Sequence, residues 1–252
     1  MDSWTEYLLL FAAGCVAGTL NVIAGGGSFL TLPILIFLGL PPGVANATNR
    51  VGLLLQNIGA VWSFRRDGVL DLRALVWAAA PATLGAVLGT WLALVVSDLA
   101  FQRILAFLMV IISLWSLWSP HSKKHSPPQE ATPSTLRLLA VSAAFLMIGV
   151  YGGFVQAGAG FLILAATTAA GLDLVRGNAV KVLAVLCLTT LSLGIFAWQG
   201  RVDWGVGLVL GCGTALGGLW GARLTVLKGH RWVQRVVTVT VILFALKLWL
   251  AP

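Results

Sequence analysis

The sequence predicts an all-α fold: a polytopic transmembrane helical bundle of two inverted repeats, about five segments each, every repeat carrying a glycine-broken hairpin and a short half-helix. Three observations lead there. Hydrophobic residues make up 59% of the 252 and charged ones 10%, with a mean hydropathy of +0.95, whereas soluble domains are about half apolar and a quarter charged. The apolar residues form successive runs of roughly 17 to 25, enough for a helix to cross some 30 Å of hydrocarbon, and none alternates like a barrel strand. Finally, the two halves of the chain match at a fixed offset, and the basic residues favour one set of loops.

The apolar segments lie at about 6–23, 28–39, 45–64, 72–96, 101–118, 136–155, 160–171, 178–198, 204–227 and 232–250. The first lacks a basic leader and many spans follow it, so it reads as a retained helix and not as a cleaved signal. Residues 119–135, SPHSKKHSPPQEATPST, form the only long polar stretch. They read as a linker between a first repeat, 1–118, and a second, 136–252.

An offset of 132 residues aligns Phe29-Leu30 with Phe161-Leu162, Gly39-Leu40 with Gly171-Leu172, and Asn46-Ala47 with Asn178-Ala179. The same offset pairs Gly68 with Gly200, Asp71 with Asp203, Leu84-Gly85 with Leu216-Gly217, and Gln102-Arg103 with Gln234-Arg235. Leucine matches are cheap in an apolar chain. Polar pairs in one unbroken register are the mark of a duplicated transporter-type repeat.

An odd number of crossings per repeat inverts the second copy. With five, Arg65, Arg66, Arg73, Lys123, Lys124, Arg137, Arg176, Lys228, Arg231 and Arg235 share one side and mainly Arg103 and Arg201 the other. The positive-inside rule then places loop 119–135 in the cytoplasm and the N-terminus outside. Four-span repeats would put Arg65, Arg66, Lys123 and Lys124 on the wrong side. The net charge of +8 is thus explained by topology, and no nucleic-acid partner is expected. The expected surroundings are a lipid bilayer, that of the inner membrane.

Segments 28–39 and 160–171 are too short to span, because about 12 helical residues reach only some 18 Å. Ahead of the first stands Asn21-Val-Ile-Ala-Gly25-Gly26-Gly27-Ser28, and ahead of the second Gln156-Ala-Gly158-Ala-Gly160. Unwound backbone at membrane depth survives only where protein or a wet cavity covers it. A half-helix starting there aims free N–H groups and a positive dipole end at the break, which suits an anion. The alternative is that the glycines serve close helix packing.

A second constellation sets Asn46-Ala-Thr-Asn49-Arg50 against Asn178-Ala-Val-Lys181-Val182. Intramembrane cations are expensive, and Arg50 or Lys181 would match an oxyanion. Alternatively the two cations snorkel to the interface while Asn46 and Asn178 cap helices. Asn21, Thr48, Asn49, Gln56, Asn57 and Gln156 are further cavity candidates, with interhelical bonding as the competing role of Gln56 and Asn57. Asp71 and Asp203 read as helix caps, and Trp62, Trp77, Trp198 and Trp204 as interface anchors.

No carboxylate falls deep in a span, which disfavours a metal-cation pump. Cys15, Cys187 and Cys212 show no metal or redox spacing and read as packing residues. His121, His125 and His230 lie in loops. With no nucleophile–base pair, no enzyme is expected, and no cofactor or metal.

The run G-x-x-A-G-x-x-N-x-x-A-G-G-G-S, then Pro33, then G-L-P-P and A-N-A-T-N, resembles the TauE/SafE family of sulfite exporters, also called toluene sulfonate uptake permeases. The resemblance covers nearly the whole chain. It implies a bacterial inner-membrane secondary transporter for sulfite, organosulfonates or related sulfur oxyanions, with proton coupling an open option. The second hairpin departs from the family pattern, with Ala159 inside the motif and Ala165 in place of the proline. Other readings are a permease for a small organic acid or a neutral sulfur compound, and a non-transporting membrane scaffold.

Overall fold

The computed structural model describes residues 4–118 and 135–225 together with Lys247. The described elements are all helical: α1 (Trp4–Ala24), α2 (Ser28–Phe37), α3 (Pro42–Arg66), α4 (Ala80–Val95), α5 (Asp98–Trp118), α6 (Thr135–Phe154), α7 (Ala159–Ala169), α8 (Leu174–Trp198) and α9 (Trp204–Thr225). A π-helical turn, Leu75–Ala79, leads into α4. Nearly all of the polar linker and of the last apolar segment, 232–250, falls outside the described residues.

Helices and turns recur at the 132-residue offset. Helix α3 and helix α8 coincide at both ends, and α2 and α7 are the two short half-helices. Their terminations also repeat. Gly39 and Gly171 take positive φ values of 94° and 89°, and Gly68 and Gly200 of 69° and 64°. Each closes its helix with the same pair of bonds. Leu40 N–H donates to Leu35 as Leu172 does to Thr167, and Val69 to Phe64 as Arg201 does to Phe196. This is the Schellman closure, which needs a residue free of a Cβ penalty at the left-handed position.

The starts differ from expectation at one pair. Asn46 and Asn178 do not cap helices, because α3 opens four residues earlier at Pro42, whose fixed φ suits a first helical position, and α8 is capped by Asp173. The Asp173 carboxylate accepts the N–H groups of Val175 and Arg176, both at 2.9 Å. Asp71 and Asp203 do act at helix starts, accepting from Arg73 N–H at 2.9 Å and Val206 N–H at 3.0 Å.

Packing crosses between the halves. The first helix of each half lies against the fourth of the other, α1 on α9 and α6 on α4. Both seams are lined with glycines that face the main chain of the opposite helix: Gly14 meets Gly213, Gly18 meets Thr214 and Gly217 meets Cys15, while Gly85 and Gly89 meet Leu146 and Val150, and Gly149 and Gly153 meet Ala82 and Ala86. A Cβ at Gly85 would collide with the Leu146 carbonyl, and one at Gly217, its counterpart, with the Cys15 carbonyl. Lipid offers no hydrophobic drive between helices, so close backbone approach supplies the association through van der Waals contact.

Three described helices are long and apolar enough to cross a membrane: Trp4–Val22, Leu75–Val95 and Val175–Trp198. Helix α3 is long but carries buried Asn46, Asn49, Arg50, Gln56 and Asn57, so its polarity points inward. The outward faces are apolar, with Leu84, Leu88 and Trp91 of α4 exposed beside Trp62, Trp198 and Trp204. Trp77 instead packs edge-on against Phe145, ring centroids 5.6 Å apart. Cys212 is exposed, not core packing.

Candidate functional site

Two chain breaks meet in the middle of the bundle. Helix α1 stops at Ala24, Gly25 turns with φ of 84°, and α2 begins at Ser28 with its first turn bonded to Gly26 and Gly27 carbonyls. In the second half Gln156 and Gly158 take φ of 63° and 76° before α7 starts at Ala159. The phenol of Tyr151 donates to the Ala157 carbonyl across this turn. Phe29 and Phe161, one at the start of each half-helix, stack with centroids 6.3 Å apart. Gly158 packs against the Phe29 ring, which leaves no room for a Cβ.

Between the breaks lies a cavity of about 20 Å³ whose polar lining includes Asn21, Ser28, Gln56, Asn57, Gln156 and Lys181, with Gly25 and Gly160 as backbone walls. A smaller one, about 10 Å³, adjoins it and is lined by Gly27, Thr31, Asn49 and Thr214, sharing Asn21, Ser28 and Gln56. Most of the expected residues therefore converge. Gly26, Gly158 and Arg50 line neither space.

The two cations do not snorkel. Arg50 is fully buried and Lys181 is 4% exposed, because both sit in the first half of helices that run through the interior. They are employed differently. Arg50 donates to the Gly152 carbonyl at 3.2 Å, to the Gly153 carbonyl and to Gln156 Oε1 at 2.8 Å, with Phe196 4.9 Å from its guanidinium carbon. Asn46, one turn earlier, donates to the Phe154 carbonyl at 2.8 Å. Together they close the C-terminal end of α6, whose carbonyls carry the negative end of the helix dipole.

Lys181 reaches the corresponding end of α1, but among the described residues its ammonium makes a single long bond, 3.4 Å, to the Asn21 carbonyl. An ammonium carries three donors. Among the described residues no carboxylate is buried, and none of them serves as a counter-ion to this charge inside the bundle.

The surrounding polar groups are organised by the break residues. Gln156 Nε2 donates to Thr189 while its oxygen accepts from Arg50, and Asn21 Nδ2 donates to Gln56 Oε1 at 3.2 Å. Thr48 faces away, accepting Asp203 N–H at 3.0 Å. Sequence reasoning missed Thr31, Thr189 and Thr214. Thr31 lies one turn past Ser28 and could have been found by helical spacing; Thr214 stands in an apolar run and had no local signal.

Helices sealed by small residues, apolar outward faces and a buried polar centre at broken helices define a multi-pass membrane protein of the transporter class. Residues 10–248 match the family model described as sulfite exporter TauE/SafE. The chain belongs to the TauE/SafE family of membrane transporters. It is 31% identical to a probable membrane transporter protein, ORF9, of a Sinorhizobium species, over 96% of this chain and 92% of that one. It is 30% identical to a probable membrane transporter protein of Haemophilus influenzae, covering 95% and 93%, and 29% identical to the probable membrane transporter protein YfcA of Escherichia coli K12, covering 95% and 88%. No solved structure matches.

Proposed function

We propose that the protein is a secondary transporter that carries a small sulfur oxyanion or organosulfonate across the bacterial inner membrane by alternating access. The observation that carries this reading is Lys181: a buried cation with one long hydrogen bond, lining a cavity between two half-helix starts. Among the described residues the interior holds buried cations and no buried carboxylate, which suits a negative guest. The ammonium would supply the charge and the starts of α2 and α7 the backbone donors, with Asn21, Gln56 and Gln156 as polar walls.

The cavity of about 20 Å³ is room for one water, which needs only about 10 to 15 Å³ of such volume. A sulfonate group needs more, so binding requires the halves to part. Repeats 1–118 and 136–252, inverted about the paired breaks, would rock to open the site to either side. The basic loops, including Arg65, Arg66 and Arg176, support an external N-terminus and a cytoplasmic linker.

The test is flux into proteoliposomes of labelled sulfite, thiosulfate and short alkanesulfonates, with short carboxylates alongside, with and without a pH gradient. Saturable uptake of a sulfur oxyanion is expected. Uptake of carboxylates alone would favour the second reading, an organic-acid permease, since a lysine point charge accepts either anion.

A further inference from the structure

The two half-sites differ at the register position that Asn49 and Lys181 share, and this difference selects a class of substrate. The 132-residue offset places Asn49 of α3 where α8 has Lys181. Both side chains are buried, Asn49 at 2% exposure, and each lines one of the two adjoining cavities. The cavity at Lys181 has one charged residue in its lining; the cavity at Asn49 has none.

Asn49 is half used. Its Oδ1 accepts from Thr31 Oγ1 at 2.6 Å, which fixes the amide, while its Nδ2 has no hydrogen-bond partner among the described residues. A buried donor left unpaired is costly, and Asn49 lines the small cavity together with Ser28 at the α2 start. Thr214, opposite it, has its own hydroxyl turned to the Gly52 and Gly211 carbonyls. The donor is therefore oriented and unemployed.

We infer that the substrate is a monoanion bearing a neutral hydrogen-bond acceptor next to its charged group, Lys181 taking the charge and Asn49 Nδ2 the acceptor. This rests on the transport reading above and narrows it. Lys181 is the one cation in either lining, and Arg50 already donates to the Gly152 and Gly153 carbonyls and Gln156, so one negative charge finds a direct partner and a second on the same substrate does not. A plain alkyl tail in the Asn49 half-site would leave Nδ2 unpaired, whereas a hydroxyl or carbonyl oxygen would satisfy it.

The experiment compares two monoanions of equal charge, 2-hydroxyethanesulfonate and ethanesulfonate, in proteoliposomes. The wild type is expected to show a KM for the hydroxylated compound about threefold to tenfold lower, the range one net hydrogen bond provides. In Asn49→Leu, which keeps the branched outline of the side chain without its polar atoms, and in Asn49→Ala, the ratio of the two KM values is expected to fall to about one. A wild-type ratio near one, or a ratio unchanged in a folded Asn49 variant, overturns the inference while leaving anion transport standing. The wild-type ratio decides the matter even where neither variant folds. If the wild type moves no sulfur oxyanion, the transport reading fails and this inference fails with it.

Discussion

Gly25 and Gly160 meet backbone to backbone: a Cβ on Gly160 would stand 2.8 Å from the Gly25 carbonyl oxygen, and one on Gly25 3.0 Å from the Gly160 carbonyl carbon. The contact joins the two broken hairpins at the wall of the cavity. Neither neighbour can yield by rotating a side chain, because both are main chain.

Gly160→Ala is therefore expected to push the breaks apart and lower both stability and flux. Gly25→Ala adds a conformational cost, since its φ of 84° lies in the left-handed region, about 1–2 kcal/mol for an L-residue. Thermal melting in detergent should rank wild type above Gly160→Ala and Gly160→Ala above Gly25→Ala. Equal melting of all three would show that the breaks are not in contact.

The seams make a matched prediction. Gly85→Leu and Gly217→Leu, at corresponding positions, should each abolish folded protein, because the colliding atoms are carbonyl oxygens of the facing helix. Gly194→Leu, where a Cβ would meet nothing within 4 Å, should be tolerated. Yield of monodisperse protein on size-exclusion chromatography separates these cases.

Arg50 is expected to behave as a positioning residue. It touches α6 and Gln156 and does not line the cavity. Arg50→Ala removes three donors from buried acceptors, at about 1–3 kcal/mol per unsatisfied group, and should lower the melting temperature markedly. Arg50→Lys should recover part of it. In folded Arg50→Lys the maximal rate is expected to fall more than tenfold while KM changes less than threefold. A KM rise without loss of rate would instead place Arg50 on the substrate.

The breaks were legible because three adjacent glycines cannot continue a helix, and the short half-helices because twelve residues cannot span. The register was legible because Asn46, Asp71 and Gln102 have polar counterparts, and the Schellman glycines Gly39 and Gly68 now give it a conformational basis. The division of labour between Arg50 and Lys181 was not legible. Arg50's partners are main-chain carbonyls roughly 100 residues away, and a carbonyl has no sequence signature. Asn46 misled for a related reason: an Asn ahead of an apolar run is an ordinary cap signal, but Pro42 had already opened the helix. Its real partner, Phe154, is the end of a helix from the other half.

The most direct test of the central claim is uptake of a labelled sulfur oxyanion by Lys181→Gln in proteoliposomes, read beside its melting temperature. Gln keeps much of the side-chain length and two N–H donors while removing the charge, and Lys181 has one long hydrogen bond to lose among the described residues. Melting at or above the wild-type temperature with at least a tenfold loss of kcat/KM is the predicted result, since about 1.4 kcal/mol corresponds to tenfold. Wild-type flux from the folded variant would contradict the account.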